Sequence, residues 1–71
     1  MGTNGDQILM LLRQIEVFLL RTRMPVTLFG RLAAHDPRFV LDLRMGRTPR
    51  EETASRIEHF MNEHRGYRHA V

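Results

Sequence analysis

The sequence has no cysteine, no tryptophan and no lysine, and it has only five glycines and three prolines among 71 residues. Without cysteine the chain cannot form a disulfide, which fits a reducing compartment. A single core of this size supplies only about 3 to 5 kcal/mol of stability, so a partner subunit would be a natural source of more. We therefore expect one small domain that covers residues 1–71 and that self-associates.

Long apolar runs and targeting signals are also absent. The most apolar stretch, from Ile8 to Leu20, is too short to cross a bilayer, and Arg13, Gln14 and Glu16 interrupt it. The first residues have no basic region of the kind that begins a secretory signal peptide. With 42% hydrophobic and 27% charged residues, the composition is that of a globular domain. These features predict a cytoplasmic protein without a membrane partner.

The residue patterns of enzymes and metal sites are missing as well. The sequence has no glycine-rich phosphate loop, no serine nucleophile elbow and no cysteine nucleophile. His59 and His64 are five residues apart, so they would not share one face of a helix, and no carboxylate–histidine set has ligand spacing. We expect no catalysis, no metal and no cofactor, and we expect His35 to pack locally or to face solvent.

Positive charge is concentrated in the middle of the chain. All 11 basic residues are arginines, and residues 21–50 contain seven of them against two aspartates, which gives this central basic segment a net charge of +5. Residues 1–20 and 51–71 each carry a net charge of −1. Such a segment is typical of a surface that binds a polyanion, although a solvated surface can carry a milder version of the same bias. The seven arginines are Arg21, Arg23, Arg31, Arg38, Arg44, Arg47 and Arg50.

The first of four predicted helices follows a disordered leader, residues 1–5, and has Asp6 as its N-cap. Six of its apolar residues have the 3,4 spacing of a buried stripe: Ile8, Leu11, Leu12, Ile15, Phe18 and Leu19. Four more fall outside the stripe and define an outer apolar face: Leu9, Met10, Val17 and Leu20. Because a surface helix does not need a second apolar face, we expect this one to mediate dimerisation.

Two short helices are predicted next. Pro25 ends the first helix and suits the first turn of the second, which runs to about Ala34. Asp36, an N-cap followed by Pro37, opens a third helix of about nine residues, and Gly46 stops it.

The fourth helix opens at Thr48, which has capping-box spacing to Glu51, and ends at Gly66. Its inward residues are predicted to be Ala54, Ile57, Phe60 and Met61.

The second and third helices, joined by residues 34–36, have the arrangement of a helix-turn-helix with its core at residues 25–46. Gly30 lies where the second helix must let the third approach closely, and a residue without a Cβ removes the obstacle. The apolar residues between the two helices are Phe29 and Ala33 on one side and Val40 and Leu43 on the other.

The run Phe29–Val40, followed by Asp42–Pro49, resembles the helix-turn-helix domains of the phage lambda repressor and Cro class, also called the XRE class of bacterial regulators. The resemblance covers roughly residues 24–60. Its matching positions are Phe29-Gly30 for the family's Leu-Ala, Asp36 for the N-cap serine, Val40 for the core valine, Leu43 for the bulky core residue and Gly46-Arg47 for the end of Asn-Gly-Arg. It departs at Pro25-Val26, where the family often has Ser-Gln, and at Met45, which replaces a frequent asparagine.

The resemblance implies an all-α, compact four-helix domain of the lambda repressor-like kind. It also implies a bacterial or phage transcriptional regulator in the nucleoid. Such a protein would bind double-stranded DNA sequence-specifically, as a homodimer on an inverted-repeat operator.

The spacing of the third helix indicates which side chains could read DNA. Three residues turn inward, Phe39, Val40 and Leu43, and the opposite face carries the predicted base-reading residues, Arg38, Leu41, Asp42 and Met45. Arg38 is placed to bind a guanine, and Leu41 to contact a thymine methyl group. Asp42 could orient Arg38 or accept from a cytosine amino group. The alternative is an ordinary surface ion pair between Arg38 and Asp42.

Phosphate contacts are predicted around this reading face. Arg47 and Arg50 flank the start of the fourth helix, where guanidinium groups and free backbone N–H groups favour a phosphate. For Arg21, Arg23 and Arg31, a solvated surface charge explains the residue equally well. The predicted phosphate-binding set is Thr27, Arg31, Arg44, Arg47 and Arg50.

A second function stays open from the sequence. The outer apolar face could bind a toxin, a phage protein or RNA polymerase, which would make the chain a protein-interaction module such as an antitoxin or a phage or host adaptor. The two functions are compatible, as in an antitoxin that represses its own promoter.

Overall fold

The computed structural model describes residues 5–67, which form four helices and no strand. The helices are α1 (Gly5–Thr22), α2 (Val26–Ala34), α3 (Phe39–Arg44) and α4 (Glu51–Glu63). The expected all-α fold with four helices is therefore confirmed. Of the predicted leader, residues 1–4 lie outside the described part of the chain, and Gly5 already belongs to α1. Within residues 5–67, no helix has the length and apolar character needed to cross a bilayer.

Helix α1 begins earlier than predicted, at Gly5, and ends at Thr22, before Pro25. Asp6 lies inside the first turn and is not the N-cap, so that prediction was wrong. The helix ends where Arg23 takes a left-handed conformation, with φ of 63°. The buried Thr22 hydroxyl donates to the Phe18 carbonyl at 2.7 Å and accepts from the Met24 N–H at 3.3 Å, which fixes the chain as it turns towards α2.

Helix α2 begins one residue later than expected. Pro25 is its N-cap, with extended backbone angles, and does not occupy the first helical position. The helix ends at His35, an exposed residue in the left-handed region with φ of 57°, where glycine is the usual choice. The Asp36 N–H then returns to the Gly30 carbonyl at 3.1 Å, so α2 is closed by backbone bonds.

Helix α3 is shorter than the sequence predicted, with six residues. The Asp36 carboxylate accepts from the Arg38 N–H at 3.0 Å, and the Asp36 carbonyl accepts from the Phe39 N–H at 3.0 Å. These short-range bonds make residues 36–39 a tight turn, so Asp36 caps the turn and Arg38 is the N-cap of the helix. The joint between α2 and α3 is consequently residues 35–38, longer than the predicted 34–36.

Gly46 stops α3, as predicted. Its φ is +97°, a conformation that other residues rarely adopt. The Gly46 N–H donates to the Leu43 carbonyl and the Arg47 N–H to the Asp42 carbonyl, both at 3.0 Å. This pair of bonds is the Schellman motif, which satisfies the free carbonyl groups at a helix end.

Helix α4 has different ends from those predicted. It begins at Glu51 with Arg50 as N-cap and no side-chain capping bond, so the capping box between Thr48 and Glu51 was wrong. It ends at His64, whose backbone N–H donates to the Phe60 carbonyl at 3.0 Å. Gly66 lies beyond this point and does not end the helix.

The core lies where the four helices meet. The buried stripe of α1 is confirmed, because its residues are either buried or packed against the core. Ile57 of α4 is fully buried, and Ala54, Phe60 and Met61 pack against the same core, as predicted. The rings of Phe18, Phe29 and Phe60 form a triangle with centroids 5.5 to 6.1 Å apart, which joins α1, α2 and α4.

The closest approach between α2 and α3 is at Gly30. A Cβ on this residue would overlap the Asp36 carbonyl oxygen and would lie 3.3 Å from the Pro37 Cα. Because both neighbours are backbone atoms, they could not move aside as a side chain does. The prediction that Gly30 permits a close approach is therefore confirmed, and this approach fixes the position of α3.

Candidate nucleic-acid interface

The outer face of α3 is open along its length. Phe39, Val40 and Leu43 are buried, as predicted. On the opposite side Arg38 is exposed, Leu41 has 39% of its surface exposed and Met45 has 86%. A short helix thus presents one arginine and two apolar side chains to solvent, a combination that can bind a guanine edge and thymine methyl groups.

Asp42 does not pair with Arg38, which corrects both predicted interactions between these residues. Its carboxylate is bound by the Arg47 guanidinium, with Oδ2 and Nη1 3.0 Å apart. The Arg47 N–H also closes the end of α3, so this residue is attached to the helix by its backbone and its side chain. Three quarters of the Arg47 side chain, 74%, is nevertheless exposed. Its charge is therefore held next to the outer face of α3 and remains open to solvent.

Arg44 is bound to a different helix. Its Nε and Nη2 atoms donate to the two carboxylate oxygens of Glu16 at 2.7 and 2.8 Å, a bidentate pair that connects α3 to α1. The hydrogen bond from Arg44 holds the pKa of Glu16 below its ordinary value, and the same bond raises the pKa of Arg44. Arg44 therefore positions α3 with two of its donor atoms, whereas Arg47 holds Asp42 through Nη1 alone and keeps more donors for an anion. The predicted phosphate contact of Arg44 stays a prediction.

Three other members of the predicted set are exposed. Arg31 and Arg50 form no ion pair within residues 5–67, and Thr27 lies one helical turn before Arg31 on α2. Arg50 stands at the start of α4 and Arg31 at the end of α2, so the two charges lie on separate elements next to α3. Arg21 and Arg23 are also exposed, at the end of α1.

A groove of about 390 Å³ separates α3 from the start of α4. Arg47 and Arg50 line it together with Asp36 and Asp42, so positive and negative side chains balance inside it. The groove is therefore not a phosphate pocket. An anion would be bound from outside, where the exposed arginines point into solvent.

One histidine, His64, contributes to packing at the end of α4. The ring of His64 stacks on Phe60 with centroids 4.2 Å apart, and its Nδ1 lies 2.9 Å from the Phe60 carbonyl oxygen. His59 lies 3.3 Å from the Glu63 carboxylate one turn away. Within the described residues, no group of three or more histidine, aspartate or glutamate side chains is arranged to hold a metal.

The outer apolar face of α1 is as exposed as the sequence predicted. The exposed fractions are 66% for Leu9, 63% for Met10, 52% for Val17 and 78% for Leu20. What sequence reasoning missed on this helix is Glu16, which is 28 positions from Arg44 in the chain. The only signal available was an acidic residue next to the apolar stripe, and nothing local identified its partner.

Comparison with known proteins gives no relative: no protein-family model matches this sequence, and neither a curated protein nor a solved structure is significantly similar to it.

Proposed function

We infer that the chain is a sequence-specific DNA-binding regulator of the lambda repressor-like, helix-turn-helix class. In this proposal α2, residues 35–38 and α3 are the helix-turn-helix, and α3 enters the major groove of double-stranded DNA. Two copies bind the two halves of an inverted-repeat operator.

The observation that carries the proposal is the open outer face of α3, with Arg38, Leu41 and Met45 exposed beside Arg47. Leu41 and Met45 lie one turn apart on the same side of α3, so with Arg38 they form one small surface that is both apolar and cationic. Because arginines lie on the neighbouring elements, this surface favours a negatively charged ligand. Duplex DNA offers both apolar methyl groups and phosphates within one groove.

The residues have separate roles in this proposal. Arg38 binds a guanine, and Leu41 and Met45 contact thymine methyl groups. Arg31, Arg47 and Arg50 bind phosphates, with Thr27 as a neutral hydrogen-bond donor to the backbone. Asp42 holds Arg47 and so takes no direct part in reading bases.

Selection of bound sequences from random duplexes tests the proposal. We expect an enriched inverted repeat whose half-sites lie about one helical turn, or a multiple of it, apart. The matched controls are two variants of exposed apolar residues, Met45→Asp on α3 and Leu32→Asp on α2. Met45→Asp should abolish enrichment, because a carboxylate would face bases and phosphates, and Leu32→Asp should preserve it. If the protein enriches no sequence, the proposal is wrong.

A protein-interaction module is the second candidate, and the observation that favours it is the exposed outer apolar face of α1. This face and α3 are different surfaces, so the two candidates can be tested separately. A protein that binds a foreign partner through α1 and enriches no DNA would favour the second candidate.

A further inference from the structure

The exposed side of α1 carries more than apolar residues. Leu9, Arg13, Glu16 and Leu20 follow each other at intervals of four, three and four, so they form one continuous line along the helix, which we name the α1 seam. Arg13 is exposed and forms no ion pair within residues 5–67. The α1 seam therefore has an apolar residue at each end and one charge of each sign in the middle.

Along the α1 seam the residues follow the order apolar, positive, negative, apolar. A second copy of the helix that runs in the opposite direction therefore places a negative charge opposite each positive one. If two copies of α1 pack antiparallel with Leu9 opposite Leu20, the centre of the contact lies between Gln14 and Ile15. Arg13 of one copy then lies opposite Glu16 of the other, because those residues have the same midpoint. One register thus gives two leucine pairs and two ion pairs. A two-fold axis relates the two leucine pairs to each other, and likewise the two ion pairs.

The remaining members of the outer apolar face fit the same register. Val17 of one copy comes next to Met10 of the second copy, on the edge of the α1 seam that borders α4. On the opposite edge, Glu16 is bound to Arg44 of α3. A carboxylate can accept about four hydrogen bonds, and the Glu16 side chain is 38% exposed, so it can bind Arg13 of the second copy without releasing Arg44.

We propose that the α1 seam is the surface through which two copies of this chain associate, with antiparallel α1 helices and reciprocal Arg13–Glu16 pairs. This occupant is favoured over a foreign protein because the charges and the apolar residues of the α1 seam complement a second copy of themselves. The two-fold axis lies perpendicular to both helices, so the α3 edge of the α1 seam faces the same side in both copies. Having the α3 edges of both copies on one side suits the proposed DNA binding. The association itself does not depend on DNA binding.

Charge reversal tests the register directly, by sedimentation without DNA. Arg13→Glu creates two carboxylate pairs across the interface and Glu16→Arg creates two guanidinium pairs, so each variant alone should dimerise at least about tenfold more weakly than the natural chain. In an equimolar mixture both pairs become attractive again, and we expect heterodimers at concentrations where each variant is monomeric. As a control, the exposed Arg21 lies outside the α1 seam, so Arg21→Glu alone should dimerise like the natural chain. Mixed with Glu16→Arg it should favour its own homodimer, because the mixed pair contains one repulsion between Arg13 and the arginine introduced at position 16.

Glu16→Arg also removes the contact with Arg44, so a third variant leaves that contact intact. Leu9→Glu changes a 66% exposed residue at the end of the α1 seam and should yield monomers, whereas Leu32→Glu, at a 49% exposed position on α2, should not. The proposal is overturned if the natural chain is monomeric at about 100 µM. It is also overturned if the dimer persists in Leu9→Glu, or if well-folded Arg13→Glu and Glu16→Arg chains do not associate when mixed. None of these outcomes bears on whether the protein binds DNA.

Discussion

Gly30 is the residue at which the smallest chemical change should have the largest structural effect. We expect Gly30→Ala to lower the free energy of unfolding by about 2 kcal/mol, because the added methyl group overlaps the backbone of residues 36 and 37 and pushes α3 away from α2. Urea denaturation measures the change.

Two other glycines serve as controls for this substitution. Gly66 has free space around it and no left-handed φ, so Gly66→Ala should change stability by less than about 0.5 kcal/mol. Gly46 has equal space but a φ of +97°, so Gly46→Ala should cost about 1 kcal/mol through backbone strain alone. If Gly30→Ala were as mild as Gly66→Ala, the close approach of α2 and α3 would not exist in solution.

Arg38 and Arg47 have the same charge but different proposed roles. Arg38→Ala should cost about 1 to 3 kcal/mol on the preferred DNA site and should relax the preference at one base pair in each half-site. Arg47→Ala, combined with Asp42→Asn so that no unpaired carboxylate is left beside α3, should weaken binding to preferred and scrambled duplexes by similar factors, because it removes a phosphate contact. Binding assays on the two duplexes measure both effects. The reverse pattern, with specificity lost only in Arg47→Ala, would show that the wrong residue has been assigned to base reading.

At the scale of single elements, α3 depends on its neighbours. A six-residue helix is far too short to be stable alone in water, where about 12 to 15 residues are needed even for favourable sequences. Its position is fixed by the contact at Gly30, by the Schellman motif at Gly46 and by the Glu16–Arg44 pair. The side chains of Arg38, Leu41 and Met45 take no part in these contacts and are exposed on the outer face of the helix.

The Glu16–Arg44 pair makes a pH-dependent contribution. Because the pKa of Glu16 is lower in the folded chain than its ordinary value of 4.5, the stabilisation is complete above that value and is lost as the pH falls through the lowered pKa. Glu16→Gln should therefore cost about 0.5 kcal/mol at pH 7, the size typical of a solvent-exposed pair, and nothing in strong acid. Thermal unfolding of each chain across this pH range measures the difference, in a Leu9→Glu background that prevents self-association.

Glu58→Gln provides the control for this measurement, since Glu58 is exposed on α4 and forms no ion pair within the described residues. Its effect at pH 7 should be small. An equal loss from both substitutions at pH 7 would contradict the role assigned to Glu16.

At the scale of the whole molecule, the arrangement of arginines sets the salt dependence of DNA binding. If Arg31, Arg47 and Arg50 each neutralise one phosphate in both subunits, about six contacts give a slope of log K against log salt concentration near −5. A salt titration on a duplex that holds the preferred site measures this slope. A slope shallower than about −2 would contradict the proposed DNA binding.

Arg56 provides the control for the salt titration, because it is exposed on α4, outside the central basic segment. Arg56→Ala should leave the slope unchanged, whereas Arg50→Ala should reduce its magnitude by about 2 in the dimer. Equal effects of the two substitutions would indicate a diffuse charge effect instead of defined contacts.

The sequence by itself determined the number of helices and the inward faces of α1 and α4. It also identified Gly46 as the stop of α3 and the outer apolar face as exposed. These features depend on helical periodicity and on the conformational freedom of individual residues, which are local properties of the chain. Gly30 was predictable for a related reason, because a glycine inside a helix is unfavourable unless a close approach requires it.

Only the tertiary structure decided where α3 and α4 begin and which groups pair. Asp36 and Thr48 carry N-cap chemistry, but Asp36 caps a turn and the helix after Thr48 starts at Glu51. Likewise, Asp42 had a possible partner one turn away in Arg38, yet it binds Arg47, and Arg44 binds Glu16 on another helix. Long charged side chains can reach several partners at nearly equal free energy, so the choice depends on how the helices pack, which no local pattern in the sequence contains.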